Sequence, residues 1–146
     1  MMKIEKILFP TDFSVKSVKA REHVLYLAGI LDAKVFLLHA IEPLEYDEMD
    51  DEIKTFYKDL QVQLDEKMEN EKKIFSDSGL KIHDDIVIGT RWRVVNTYAR
   101  EHEIDLIVMG SHGVRTETGE VSVGTTSHRV MFTSPCPVLL VRHEGD

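Results

Sequence analysis

Residues 35–41, Val-Phe-Leu-Leu-His-Ala-Ile, and residues 104–109, Ile-Asp-Leu-Ile-Val-Met, are apolar runs with no regular alternation. A strand that faces water on one side must alternate polar and apolar side chains. A strand without alternation is covered on both faces, which is the condition of a parallel sheet sandwiched by helices. The rest of the chain supplies those helices. Ala20, Val24, Leu27, Ala28 and Leu31 recur at helical spacing, and the helix they mark runs to about Asp32, with Ser14 as its expected N-cap. Ile53, Phe56, Tyr57, Leu60, Leu64, Met68 and Phe75 form the stripe of a long second helix that Gly79 ends. Val94, Val95, Tyr98 and Ala99 mark a third helix closing near Glu103. A short fourth spans residues 125–133, stopped by Pro135-Cys136-Pro137.

Between the helices lie strands at residues 4–9, 35–41, 82–88, 104–109 and 138–141. The order is βαβαβαβαβ, which predicts an α/β fold: an open five-stranded parallel sheet with helices on both faces, Rossmann-like. Right-handed crossovers restrict the topology. A chain that starts in the middle of the sheet gives the order 3-2-1-4-5, in which strands one and four are neighbours. The direction of winding then reverses between them, and ligands bind outside the carboxyl ends of strands at such a point. Those ends are Pro10-Thr11-Asp12 and Met109-Gly110. With 146 residues the chain is expected to form one domain, 1–146, large enough to bury roughly two-thirds of its unfolded surface.

Charge and cysteine usage narrow the function. The net charge of −8 disfavours nucleic-acid backbones and anionic membrane surfaces as partners. No stretch approaches the ~20 apolar residues of a membrane span. Cys136 is the single cysteine, so no internal disulfide forms. With no signal-peptide pattern, the expected compartment is the cytoplasm.

The glycines point to the chemistry. The turn after the first strand has none, which argues against an NAD or FAD fingerprint, and no Walker-type P-loop occurs. Glycines cluster after the fourth strand instead. Gly110-Ser111-His112-Gly113 is followed by ten residues and then by Gly124-Thr125-Thr126-Ser127, which opens the fourth helix. Successive backbone N–H groups in such turns bind anions, and a helix N-terminus adds unpaired N–H groups and partial positive charge. The hydroxyls of Thr125, Thr126 and Ser127 add donors, so the loop suits a polyphosphate. His112, between the glycines, is a candidate to contact phosphate or to shuttle a proton. The alternative is that these glycines only form turns and the hydroxyls only cap a helix.

The motif Pro10-Thr11-Asp12-Phe13-Ser14, Leu37-Leu38-His39 in the second strand, residues 105–113 (Asp-Leu-Ile-Val-Met-Gly-Ser-His-Gly) and the ending Ser134-Pro135-Cys136-Pro137-Val138-Leu139-Leu140-Val141-Arg142 resemble the universal stress protein family. The similarity spans essentially the whole chain in the family's order. Its ATP-binding branch carries G, two residues, G, nine residues, then G and Ser or Thr. The resemblance implies that Gly110, Gly113, Gly124 and Thr125 bind phosphates. It implies that Asp12 lies near the ribose or a magnesium ion, and that backbone around Ala40 and Met109 holds the adenine. This sequence departs from the pattern in its ten-residue spacing and in Glu117 and Glu120 within the loop, with Arg115 as a partial offset.

Three functions are open at this level. The first is an ATP-dependent binding or regulatory module of the stress response, read by an unidentified protein partner. The second is a dimeric family member that binds no nucleotide. The third is an enzyme, hydrolysing ATP slowly or transferring adenylyl groups. No catalytic or metal-ligating residue stands out: the histidines are scattered, and Cys136 and His39 read as packed structural residues. Trp92 reads as a surface-anchored aromatic. Residues 42–52 carry seven acidic side chains and border the expected mouth of the site. The apolar last strand, at the sheet edge, is expected to pair with its own copy in a homodimer, with Leu139 and Val141 facing the contact.

Overall fold

A computed structural model describes residues 1–43, 51–111, 114–115, 121–122 and 125–143, with 114–115, 121–122 and 125 described by backbone alone. The elements follow in the order β1 (Lys6–Pro10), α1 (Val18–Leu31), β2 (Lys34–Ile41), α2 (Asp51–Asp77), β3 (Ile82–Ile88), α3 (Arg91–Glu101), β4 (Leu106–Ser111), β5 (Val114–Arg115), β6 (Val121–Ser122), α4 (Thr125–Thr133) and β7 (Val138–Arg142). β3, β2, β1, β4 and β7 form one sheet in that spatial order, with every pairing parallel. This is the expected 3-2-1-4-5 order, since β7 is the fifth strand of the sheet. β5 and β6 are an addition that the sequence did not announce, a two-stranded antiparallel pair within the glycine-bearing loop.

Alternate residues of the central strands enter two separate cores. Ile7, Phe9, Val35, Leu37 and Val108 pack with Ala20, Val24 and Ala28 of α1 and Met68 and Phe75 of α2. Leu8, Phe36, Leu38, Ile107 and Met109 pack with Val94, Val95, Tyr98 and Ala99 of α3 and Val130 of α4. Two helices therefore cover each face, and this is why the strands carry no polar alternation.

The local signals differ from expectation in three places. Ser14 does not cap α1 with its side chain; a 3-10 turn, Val15–Ser17, intervenes, and α1 begins at Val18. The apolar stripe of α2 is buried only from Leu64 onward, while Phe56 is exposed and Ile53, Tyr57 and Leu60 are half buried. Its 27 residues make a helix of about 40 Å, longer than strands of five to eight residues can cover. The overhang lies at the carboxyl side of the sheet, where a helix following β2 must start. Thirdly, Val141 is not an edge residue in the sense expected: it is 6% exposed and belongs to the core, leaving Leu139 as the exposed apolar side chain of β7.

Gly79 terminates α2 as expected. At φ +79° it lets Gly79 N–H donate to the Ser76 carbonyl and Leu80 N–H to the Phe75 carbonyl, and Leu80 then packs on the core. Asp105, just before β4, holds the start of β1 with its carboxylate, which accepts from the Glu5 and Lys6 N–H groups at 2.9 and 3.0 Å. Between α1 and α2, Arg21 donates to the largely buried Glu71 at 2.6 Å. No described helix is long and apolar enough to cross a membrane.

Two predictions follow from this packing. Space is open around both Gly29 and Gly79, so only backbone conformation decides what a methyl does there. Gly79→Ala should cost about 1 kcal/mol, because its φ is positive, while Gly29→Ala inside α1 should gain about 0.5–1 kcal/mol; urea denaturation reads both signs. Arg21→Met should cost about 3 kcal/mol by stranding the Glu71 carboxylate, and Arg21→Met with Glu71→Leu should restore most of that loss. Equal destabilisation in the single and double variants would contradict it.

Candidate functional site

The turn after β1 is shaped by its own side chains. Thr11 Oγ1 accepts from the Phe13 N–H at 3.0 Å, and Asp12 Oδ1 accepts from the Ser14 N–H at 2.9 Å and from Ser17 Oγ at 2.8 Å. Such local bonding is what short polar side chains supply in turns. The backbone is thereby driven through φ +64° at Phe13, a left-handed conformation that bulky residues rarely adopt. It swings the Phe13 ring onto the imidazole of His39 in β2, with centroids 4.7 Å apart and planes at 29°. His39 Nδ1 lies 2.7 Å from the Thr11 carbonyl oxygen. A carbonyl only accepts, so Nδ1 carries the proton. Burial lowers the His39 pKa, against the opposing pull of the bond to Thr11.

On the other side of the β1–β4 junction, Ser127 in the first turn of α4 is buried and donates to the Gly110 carbonyl at 3.3 Å. This ties the start of α4 to the carboxyl end of β4. Across the sheet, the Glu42 carboxylate accepts from the Arg91 N–H at 3.4 Å, joining the end of β2 to the start of α3.

These ends enclose a cleft of about 280 Å³ at the carboxyl edge of the sheet. Its apolar lining comes from Leu38, Ala40, Val95 and Met109, all part of or packed on the core beneath α3 and α4. Its polar lining comes from Thr11, Asp12, Ser17, His39, Arg91, Thr126 and Ser127, with Pro10 and Gly110 adding backbone. The cleft therefore offers an apolar slot beside hydroxyls, one carboxylate and one guanidinium. Eight residues expected at the site from sequence meet here: Pro10, Thr11, Asp12, Ala40, Met109, Gly110, Thr126 and Ser127. Thr125 is the first residue of α4. His112, Gly113 and Gly124 lie outside the described residues, as do Glu117, Glu120 and most of the acidic run.

Sequence reasoning missed Ser17, Leu38, His39, Arg91 and Val95 as lining residues. His39 is hydrogen-bonded as expected of a strand residue, but it is only half buried and faces the cleft. Its position at the carboxyl end of β2, two residues before the strand stops, was the available signal. Arg91 was discoverable in the same way, as the first residue of the helix that follows β3. Trp92 beside it is half buried, with the Arg93 and Arg129 guanidiniums 5.1 and 5.6 Å from its ring. Cys136 is half buried among core residues, and burial pushes its thiol pKa up, which disfavours the reactive thiolate.

Comparison with known proteins agrees with this architecture. The family model described as "Universal stress protein family" matches residues 3–142. Universal stress protein MJ0577 of Methanocaldococcus jannaschii is 33% identical, over 97% of this chain and 96% of its own. The solved structure of MJ0577 superposes with a TM-score of 0.86 at 32% identity, covering 99% of this chain and 100% of that one. A universal stress protein solved in complex with cAMP has the same fold, with a TM-score of 0.75 at 21% identity over 98% of this chain and 100% of that chain. The chain belongs to the universal stress protein family.

Proposed function

We propose that this protein binds ATP in the cleft at the carboxyl ends of β1 and β4 and acts as a nucleotide-dependent regulatory module. The observation that carries the reading is the make-up of that cleft. An apolar slot suits the faces of an adenine, with Ala40 and Met109 at its walls. The first turn of α4, with Thr126 and Ser127, suits the phosphates, because a helix start offers unpaired N–H groups. Gly113, Gly124 and Thr125 extend the phosphate loop in this reading, and His112 contacts it. That a protein of the same fold was solved with cAMP supports an adenine nucleotide as the class of ligand.

Magnesium fits the donor set in a limited way. Among the described residues no cluster of three or more acidic, histidine or cysteine side chains could hold a metal by itself. Magnesium commonly needs only one or two carboxylates beside the phosphates and water. Asp12 is the exposed carboxylate of the cleft and would be that ligand, directly or through water.

The active form in this proposal is a cytoplasmic homodimer built on β7. That strand lies at the edge of the sheet, with Leu139 exposed, and an apolar edge strand invites pairing with another chain. A twofold axis beside it would pair β7 antiparallel with its copy.

Calorimetric titration tests the ligand. The protein should bind ATP with magnesium and bind NAD much more weakly; NAD binding without ATP binding would refute the reading. Asp12→Asn keeps an oxygen for the Ser14 and Ser17 bonds but removes the charge. It should lower affinity for magnesium–ATP by about tenfold and abolish the magnesium dependence, with thermal stability nearly unchanged. For the assembly, Leu139→Lys should give a folded monomer in sedimentation equilibrium, whereas Val141→Lys should unfold the protein by placing a charge in the core. A wild-type monomer at micromolar concentration would contradict the dimer.

A further inference from the structure

We infer that His39 is a specificity residue of the cleft, whose Nε2 accepts a hydrogen bond from a hydroxyl or amino donor on the nucleoside part of the ligand. This rests on the nucleotide reading above. Three contacts fix the ring. The Thr11 carbonyl takes the Nδ1 proton at 2.7 Å, the Phe13 ring stacks on one face, and the strand backbone of β2 sets the direction of the side chain. In a neutral imidazole with Nδ1 protonated, Nε2 is a bare acceptor. It has no hydrogen-bond partner among the described residues, although the side chain lines the cleft.

The arrangement is held against a local cost. Phe13 holds φ +64° in a turn bonded by Thr11 and Asp12, and in that conformation its ring stacks on His39. A turn that merely reversed the chain would not need an aromatic in that conformation. Orientation makes the acceptor selective: a donor on the ligand must meet a lone pair that cannot rotate away, and a ligand lacking the donor leaves that nitrogen desolvated and unpaired. The neutral form is the one favoured, since burial lowers the His39 pKa from 6.5. The charges that face it are Arg91 from α3 and Lys67 from α2, which favour the neutral ring, and Asp12 from the turn, which opposes them.

Two measurements test this. In the ligand-free protein, ¹⁵N NMR of the His39 ring at about pH 7.5 should show a protonated Nδ1 and a bare Nε2, titrating below the ordinary histidine range. An Nε2-protonated ring overturns the inference without reference to any ligand. In the second, wild type and His39→Phe are titrated with ATP, 2′-deoxy-ATP, 3′-deoxy-ATP and the triphosphate of purine riboside, which lacks the 6-amino group. Wild type should lose about fivefold in affinity for the one analogue that lacks the donor, which also tells ribose hydroxyl from base amine. His39→Phe should bind ATP about fivefold more weakly and no longer distinguish that analogue. A variant that keeps the wild-type discrimination, or that binds ATP as well as wild type, overturns the role of His39 and leaves the nucleotide reading standing. Wild-type protein that binds none of the four overturns the nucleotide reading, and the role of His39 with it, even if the tautomer is as stated.

Discussion

The structure depends on β1, β2 and β4 being buried on both faces at once. Ile7 and Phe9 enter one core while Leu8 enters the other, and Val108 is set against Ile107 and Met109 in the same way. Such strands cannot face water on one side without exposing one of the two sets. They take the centre of the sheet, and the pairs of helices α1 with α2 and α3 with α4 take its faces. Parallel strands then demand that every connection return across a face, so all the carboxyl ends lie at one edge. The cleft is the gap left at that edge where winding reverses between β1 and β4.

What fills the rim of that gap is set by local hydrogen bonds, not by the cores. The turn after β1 contains no glycine, yet it reaches a left-handed conformation at Phe13 because Thr11 and Asp12 bond the backbone that follows them. Asp12 thus does two things: it shapes the entry to α1 and it presents a carboxylate at the cleft. The turn reading and the ligand reading of this residue are compatible, since a carboxylate has two oxygens and several lone-pair sites. On the opposite rim the Ser127 hydroxyl is committed to the Gly110 carbonyl, so its contribution is first to hold α4 in place. The rim is preorganised by these bonds, and preorganisation lowers what a ligand must spend in ordering its site.

Beneath the rim, the apolar lining is simply the top of a core. Leu38, Val95 and Met109 belong to the cluster under α3 and α4. Fold stability and the shape of the apolar slot therefore rest on the same side chains, and large changes there alter both. The α1–α2 side is different in kind. It holds the Arg21–Glu71 pair, and α2 overhangs the sheet toward the cleft with Phe56 exposed.

The sequence by itself determined a parallel sheet with helices on both faces and, given a start in the middle of the sheet, its strand order and the edge at which a site must lie. Unbroken apolar runs and helical periods are properties of neighbouring residues, and two-sided burial follows from them directly. It also indicated Thr11, Asp12, Gly110 and the start of α4, because ends of strands and turn chemistry are local. Only the tertiary structure brought Ser17, His39, Arg91 and Val95 to the same cleft, since they come from three different elements whose approach depends on packing. It likewise decided that half the stripe of α2 outruns its sheet and that, of Leu139 and Val141 on one face of β7, only Val141 is covered. A period of two or of 3.6 says which residues share a face. Which face finds a partner, and which is left at an edge, depends on the length and placement of the elements that it meets.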